Sequence, residues 1–140
     1  MNFYIPVEVK DRELYAKILL AKYAAENGFN VILGKKNDVN RLVLNMPRGV
    51  YYGLGIAKNY NDFFEKLSKL GHIIVVGEEE GLITYSDAMY LDMRISTATI
   101  KYVDLIFTWG VENHNVISVG RKNEMPLNVY AYSKYLFDQL

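Results

Sequence analysis

The stretch from Phe3 to Leu33, "FYIPVEVKDRELYAKILLAKYAAENGFNVIL", decides the fold. Phe3 to Val9 alternates β-favouring residues and reads as a strand. Asp11 stands where a helix N-cap belongs, and Leu14, Ile18, Ala21 and Ala25 then recur at helical spacing. Gly28 follows at the C′ position, where glycine takes a positive φ without steric cost. Phe29 to Leu33 reads as a second strand, ended by Gly34. A strand–helix–strand unit of about thirty residues closes as a parallel pair with a right-handed crossover.

The alternation continues outward. Asn37 to Asn45 fits a short helix with Val39, Leu42 and Val43 on one side, broken by Pro47 and Gly49. Val50 to Tyr52 reads as a third strand, followed by the loop "GLGIAKNYN". Asp62 with Glu65 fits a capping box, Phe63, Phe64, Leu67 and Leu70 form a helix face, and Gly71 ends it. Ile73 to Val76 is a fourth strand. One helix is expected over Ser86 to Tyr102, with Leu91, Ile95, Ala98 and Tyr102 in register, and a fifth strand over Asp104 to Thr108. "ISVG" (residues 117–120) fits a sixth strand, and Pro126 precedes a terminal helix carrying Val129, Tyr132, Leu136 and Leu140. Strands alternating with helices imply an α/β fold: one three-layer, Rossmann-like domain over residues 1–140, with a mainly parallel sheet of about five or six strands.

Composition narrows the function classes. Lys+Arg 16 balances Asp+Glu 16, so the basic excess of a general nucleic-acid binder is absent. No apolar run approaches the ~18 residues of a membrane span, which leaves only peripheral membrane contact open. The N-terminus turns charged too early for a signal peptide, so a cytoplasmic location is the default expectation. With Cys 0 and two distant histidines there is neither a disulfide framework nor a convincing metal site. "VEVKDR" replaces a G-x-G-x-x-G turn after the first strand and no phosphate-binding P-loop is present, so no cofactor is expected. Tyr 12 is the unusual count; tyrosine suits sheet faces, interfaces and sugar-binding surfaces alike.

Ligands of open parallel sheets bind beyond the carboxyl ends of the strands. The polar residues that follow the strands are therefore the candidates. They are Glu8, Lys10, Asp11 and Arg12; Lys35 and Lys36; Lys58 after "GLG"; Glu78, Glu79 and Glu80; and Trp109, Glu112, Asn113 and His114. Three adjacent glutamates need cations nearby to ionise together, and Arg12, Lys58 and Arg94 are the available partners. Each has a plainer reading: acids at the start of the next helix, an exposed arginine, a tryptophan that closes the core.

Several segments, taken in order, resemble bacterial surface carbohydrate biosynthesis proteins, which look like GT-B type glycosyltransferases built from two Rossmann-like halves. The opening "E-x-K-x-R-E" pattern is met by Glu8, Lys10, Arg12 and Glu13. "G-x-x-V-x-x-G" is met by Gly28, Val31 and Gly34, and "P-x-G" by Pro47 and Gly49. Lys58 stands for a lysine loop, Glu79–Gly81 for an "E-E-G" turn and Trp109–Gly110 for a "W-G" turn. Glu78 departs from the family's aspartate, and "VGRKNEMP" replaces its "G-x-P-R-x-D" segment. The resemblance implies an acceptor-side domain for surface polysaccharide synthesis that does not complete glycosyl transfer alone. Glu79 or Glu80, with His114 behind them, would be the general base. Glu8, Lys10, Arg12, Lys58, Arg94, Trp109 and Asn113 would hold a carbohydrate or nucleotide-sugar ligand, and Glu78 would be only a neighbour. The expected partner is a separate donor-binding domain. The alternative is a non-catalytic binding or dimerisation module whose tyrosine-rich tail docks on a second copy.

Overall fold

The computed structural model describes residues 1–78, 86–108 and 110–120, and the backbone of Tyr130–Tyr132. The strands are β1 (Asn2–Val7), β2 (Asn30–Lys35), β3 (Gly49–Gly53), β4 (Ile73–Gly77), β5 (Leu105–Thr108) and β6 (Tyr130–Tyr132). The helices are α1 (Lys10–Glu26), α2 (Lys36–Val43), α3 (Asn61–Lys69), α4 (Asp87–Arg94), α5 (Thr97–Ile100) and α6 (Val111–Gly120), and a 3-10 turn spans Lys58–Tyr60. The sheet order is β2-β1-β3-β4-β5-β6, and every pair is parallel. This is the expected three-layer α/β fold, wound outward in both directions from β1 and β3.

Period-two alternation along β1 divides the core between the two faces. Tyr4 points into the larger layer, with Val39 and Val43 of α2, Phe64 and Leu67 of α3, Tyr90 of α4 and Ile117 of α6. Phe3 and Ile5 point the other way, under Leu20, Ala21 and Ala24 of α1. Each fully buried large side chain, such as Phe64 or Leu67, contributes ~1.5–3 kcal/mol. Glycines end α1 and α3 as expected: Gly28 and Gly71 have φ of 84° and 78°.

Local expectations fail where a specific contact overrides the pattern. β1 stops at Val7 and α1 begins at Lys10, with Val9 rather than Asp11 at the N-cap. The Glu13 carboxylate takes the N–H groups of Glu8 and Val9 at 2.9 and 3.0 Å. That bond turns α1 so that Glu13, Lys17 and Ala24 are buried, while Ile18 and Leu19 lie 46% and 42% exposed. Asp62 makes no cap bond, and α3 starts from Tyr60. The helix expected over residues 86–102 breaks at Ile95, which is fully buried and pairs as a parallel bridge with Ile56. Ser96 N–H donates to Ile56 O at 3.0 Å, so backbone pairing replaces the helical bond. "ISVG" belongs to α6, whose Ile117 is fully buried in the larger layer. The sixth strand is Tyr130–Tyr132, on the free edge of β5, where a terminal helix was expected; Val129, Leu136 and Leu140 lie outside the described residues.

Candidate functional site

β1 pairs with β2 along its whole length, from Asn2 to Val7, but with β3 only from Asn2 to Tyr4. Pro6 has no N–H for the β3 ladder. The two strands therefore part at their carboxyl ends, at the point where the chain winds in opposite directions. Ligands of doubly wound sheets bind in such a crevice. Here it holds a cavity of about 60 Å³. Its wall comes from Glu8, Arg12, Glu13, the 54–57 loop, Tyr60, Glu78 and Arg94.

The floor is ionic. Lys17, 3% exposed, donates from Nζ to Pro6 O at 2.9 Å and to Glu13 Oε2 at 2.6 Å. Arg12 Nη2 lies 3.2 Å from Glu13 Oε1. Burial works to raise the Glu13 pKa. The Lys17 hydrogen bond, the N–H groups of Glu8 and Val9 and the Lys17 charge outweigh it and hold the carboxyl at about 2. Glu13 thus fills the mouth of the first strand-to-helix turn with an internal carboxylate, where dinucleotide-binding sheets hold a pyrophosphate.

The outer wall is an ion pair. Lys36 Nζ donates to Glu8 Oε1 at 2.9 Å and to Tyr60 Oη at 3.1 Å. Burial works to lower the Lys36 pKa, but these two bonds outweigh it and raise it above the usual lysine value. The far wall is Glu78, 6% exposed, at the end of β4. Its N–H donates to Phe107 O at 3.0 Å, which fixes its backbone. Burial, reinforced by the Glu78 charge, pushes the Tyr90 phenol above its ordinary range. The Ile56–Ile95 bridge sets Arg94, the last residue of α4, beside the 54–57 loop.

Of the residues singled out from sequence, Glu8, Arg12 and Arg94 meet at this cavity. Lys10 lines a neighbouring groove instead. Lys58 is exposed on the 3-10 turn and does not line the cavity; Tyr60, two residues on, takes that place. Asn113 and His114 stand on α6, away from the cavity wall, and Asn113 Nδ2 donates to Tyr90 Oη at 2.9 Å. Glu79, Glu80 and Trp109 lie outside the described residues. Glu78, expected to be only a neighbour, is itself in the wall. Sequence reasoning named Glu78 among the strand ends but set it aside as a neighbour, and it passed over Tyr60 and the Glu13–Lys17 pair. An acid and a base four apart on α1 were the available signal for that pair.

Carboxylates and guanidiniums facing one small space can pair with vicinal hydroxyls or with a small anion. At 60 Å³ the space takes roughly four waters, or one edge of a sugar ring. Among the described residues no group of three or more His, Cys, Asp or Glu side chains is placed to hold a metal ion. No helix among them is long and apolar enough to cross a membrane. No known protein family matches the chain, and neither a curated protein nor a solved structure matches it.

Proposed function

We propose that this chain binds one edge of an anionic or polyhydroxyl sugar in the crevice between β1 and β3, as the acceptor-side domain of a cytoplasmic, glycosyltransferase-like protein of surface polysaccharide synthesis. The observation that carries the reading is the convergence of Glu8, Arg12, Glu78 and Arg94 on one cavity at the winding reversal. Three residues of the "E-x-K-x-R-E" stretch, Glu8, Arg12 and Glu13, fall on that wall, which supports the resemblance as a guide to the site. Glu78, buried in the cavity wall, is placed to take a proton from an acceptor hydroxyl, whereas the Glu13 carboxylate is already held by Lys17; Glu79 and Glu80 stay in the proposal as neighbours of Glu78 in sequence. The test is calorimetric titration of a hexuronic acid and a neutral hexose into the protein and its Glu78→Gln and Arg94→Gln variants. Arg94→Gln is expected to weaken binding of the acid at least tenfold, and Glu78→Gln to weaken binding of the neutral hexose at least tenfold. No binding to the parent chain, or equal binding to all three, refutes the assignment.

A second reading is favoured by the outer face of α1. Tyr15, Leu19 and Tyr23 stand four residues apart and are 84%, 42% and 56% exposed. A row of this kind suits a binding or dimerisation module. Sedimentation across a concentration series tests the dimer: a monomer throughout removes the dimerisation version of this reading.

A further inference from the structure

Glu8 lines two spaces. Beyond it, at the carboxyl ends of β1 and β2, a groove of about 690 Å³ runs between the starts of α1 and α2. We propose that this groove binds an organic phosphate with an apolar or aromatic body, in a site separate from the small polar cavity. The proposal rests on the groove itself and not on the glycosyl-transfer reading.

The floor of the groove is apolar: Val7 from β1, Leu14 from α1 and Leu33 from β2. Its rim carries Lys10, Lys35 and Lys36. The two acids on the same wall are already engaged. Glu8 takes Lys36 at 2.9 Å, and Asp38 takes Arg41 at 3.3 Å. Among the described residues Lys10 and Lys35 have no ion-pair partner, so the rim keeps two net positive charges facing an apolar floor. The α2 N-terminus opens on the same groove, with Lys35 at its N-cap and no side-chain cap bond. Its first N–H groups have no partner within the helix and favour an anion. A volume of this size is that of a typical small-molecule site. An inorganic anion would leave the floor wet, and a neutral apolar body would leave the two ammonium groups uncompensated. A phosphate suits point-charge lysines better than a planar carboxylate does, which pairs best with arginine.

The test uses 1-naphthyl phosphate as probe, with inorganic phosphate and 1-naphthol as the separated halves, titrated into the full chain and followed by amide NMR. The expected result is saturable binding of the naphthyl phosphate, with shifts at Gly34, Lys35 and Asn37, at least tenfold tighter than either half. A Lys10→Gln/Lys35→Gln double variant should bind at least tenfold more weakly while keeping its amide spectrum elsewhere. If the double variant does not fold, Lys10→Gln alone should weaken binding at least threefold. Absence of saturable binding, equal affinity for 1-naphthol, or undiminished binding by the folded lysine variant overturns the proposal.

Discussion

Replacing Glu13 by glutamine tests whether the buried pair under the crevice holds the molecule together. The carboxylate is 2% exposed and touches Lys17 Nζ at 2.6 Å. It also accepts from Glu8 N and Val9 N at 2.9 and 3.0 Å. Glutamine keeps the volume but removes the charge. Its amide nitrogen must then face a donor, and buried Lys17 loses its carboxylate partner while keeping the bond to Pro6 O. The magnitude follows from the pKa. A fall from 4.5 to about 2, at about 1.36 kcal/mol per pH unit, is worth about 3 kcal/mol. Breaking a buried pair by removing one partner costs about 3–5 kcal/mol by an independent route. Against a total stability of about 5–15 kcal/mol, either figure is large. The folded pKa is depressed, so this stability is fully present above about pH 4.5 and is lost as pH falls through about 2. Urea unfolding of the parent chain between pH 6 and pH 2 should show that loss. Glu13→Gln should unfold about 3 kcal/mol more easily at pH 6, with a shallower pH profile below 4.5. A Glu13→Leu/Lys17→Met pair should recover only part of the loss, because the N–H groups of Glu8 and Val9 still lack an acceptor. A glutamine variant within 1 kcal/mol of the parent, or one with the parent's pH slope, refutes the account.

Other perturbations read out the same frame. A Cβ on Gly77 would overlap Tyr52 Oη and lie 2.7 Å from its Cζ, so Gly77→Ala should cost about 1–3 kcal/mol in thermal unfolding. Ile95→Ala should cost about 2–5 kcal/mol and weaken hexuronate binding by releasing Arg94, whereas the equally buried Leu67→Ala should cost stability alone. His72 Nδ1 accepts from Gly49 N–H at 3.2 Å, and burial lowers its pKa below 6.5. Its NMR titration midpoint should therefore fall below the ordinary value. The stability it supplies is held above about pH 6.5 and surrendered as pH drops through that midpoint. A midpoint at or above 6.5 refutes the neutral, acceptor role.

Much of the architecture was readable in advance because it depends on local signals. Glycines 28 and 71 take a positive φ, and apolar runs such as Ile73–Val76 sit between helices of the right length. Those signals act within a few residues and need no partner to be recognised. Glu8 and Arg12 were selected for the same reason, since strand ends are local and the sheet topology brings them to one rim, whereas Arg94 was selected only as a cation to balance the glutamate run. What went unread depended on contacts between distant residues. Lys58 and Tyr60 are neighbours in the chain, but the turn directs Tyr60 at Lys36 and leaves Lys58 in solvent.

The sequence by itself determined an α/β chain with parallel strands, because period-two and helical periodicities survive without tertiary context. Only the tertiary structure decided which face of α1 is buried, where the helix after Ser86 breaks, and which glutamate walls the crevice. In the first case two backbone N–H groups and a buried lysine captured Glu13, and their combined pull outweighed the apolar face of Leu14, Ile18 and Ala25. In the second, Ile95 gained a fully buried bridge to Ile56 in place of one helical hydrogen bond. In the third, the continuation of β4 beside Phe107 carried Glu78 inward, a placement set by strand register and invisible in a run of three identical acids.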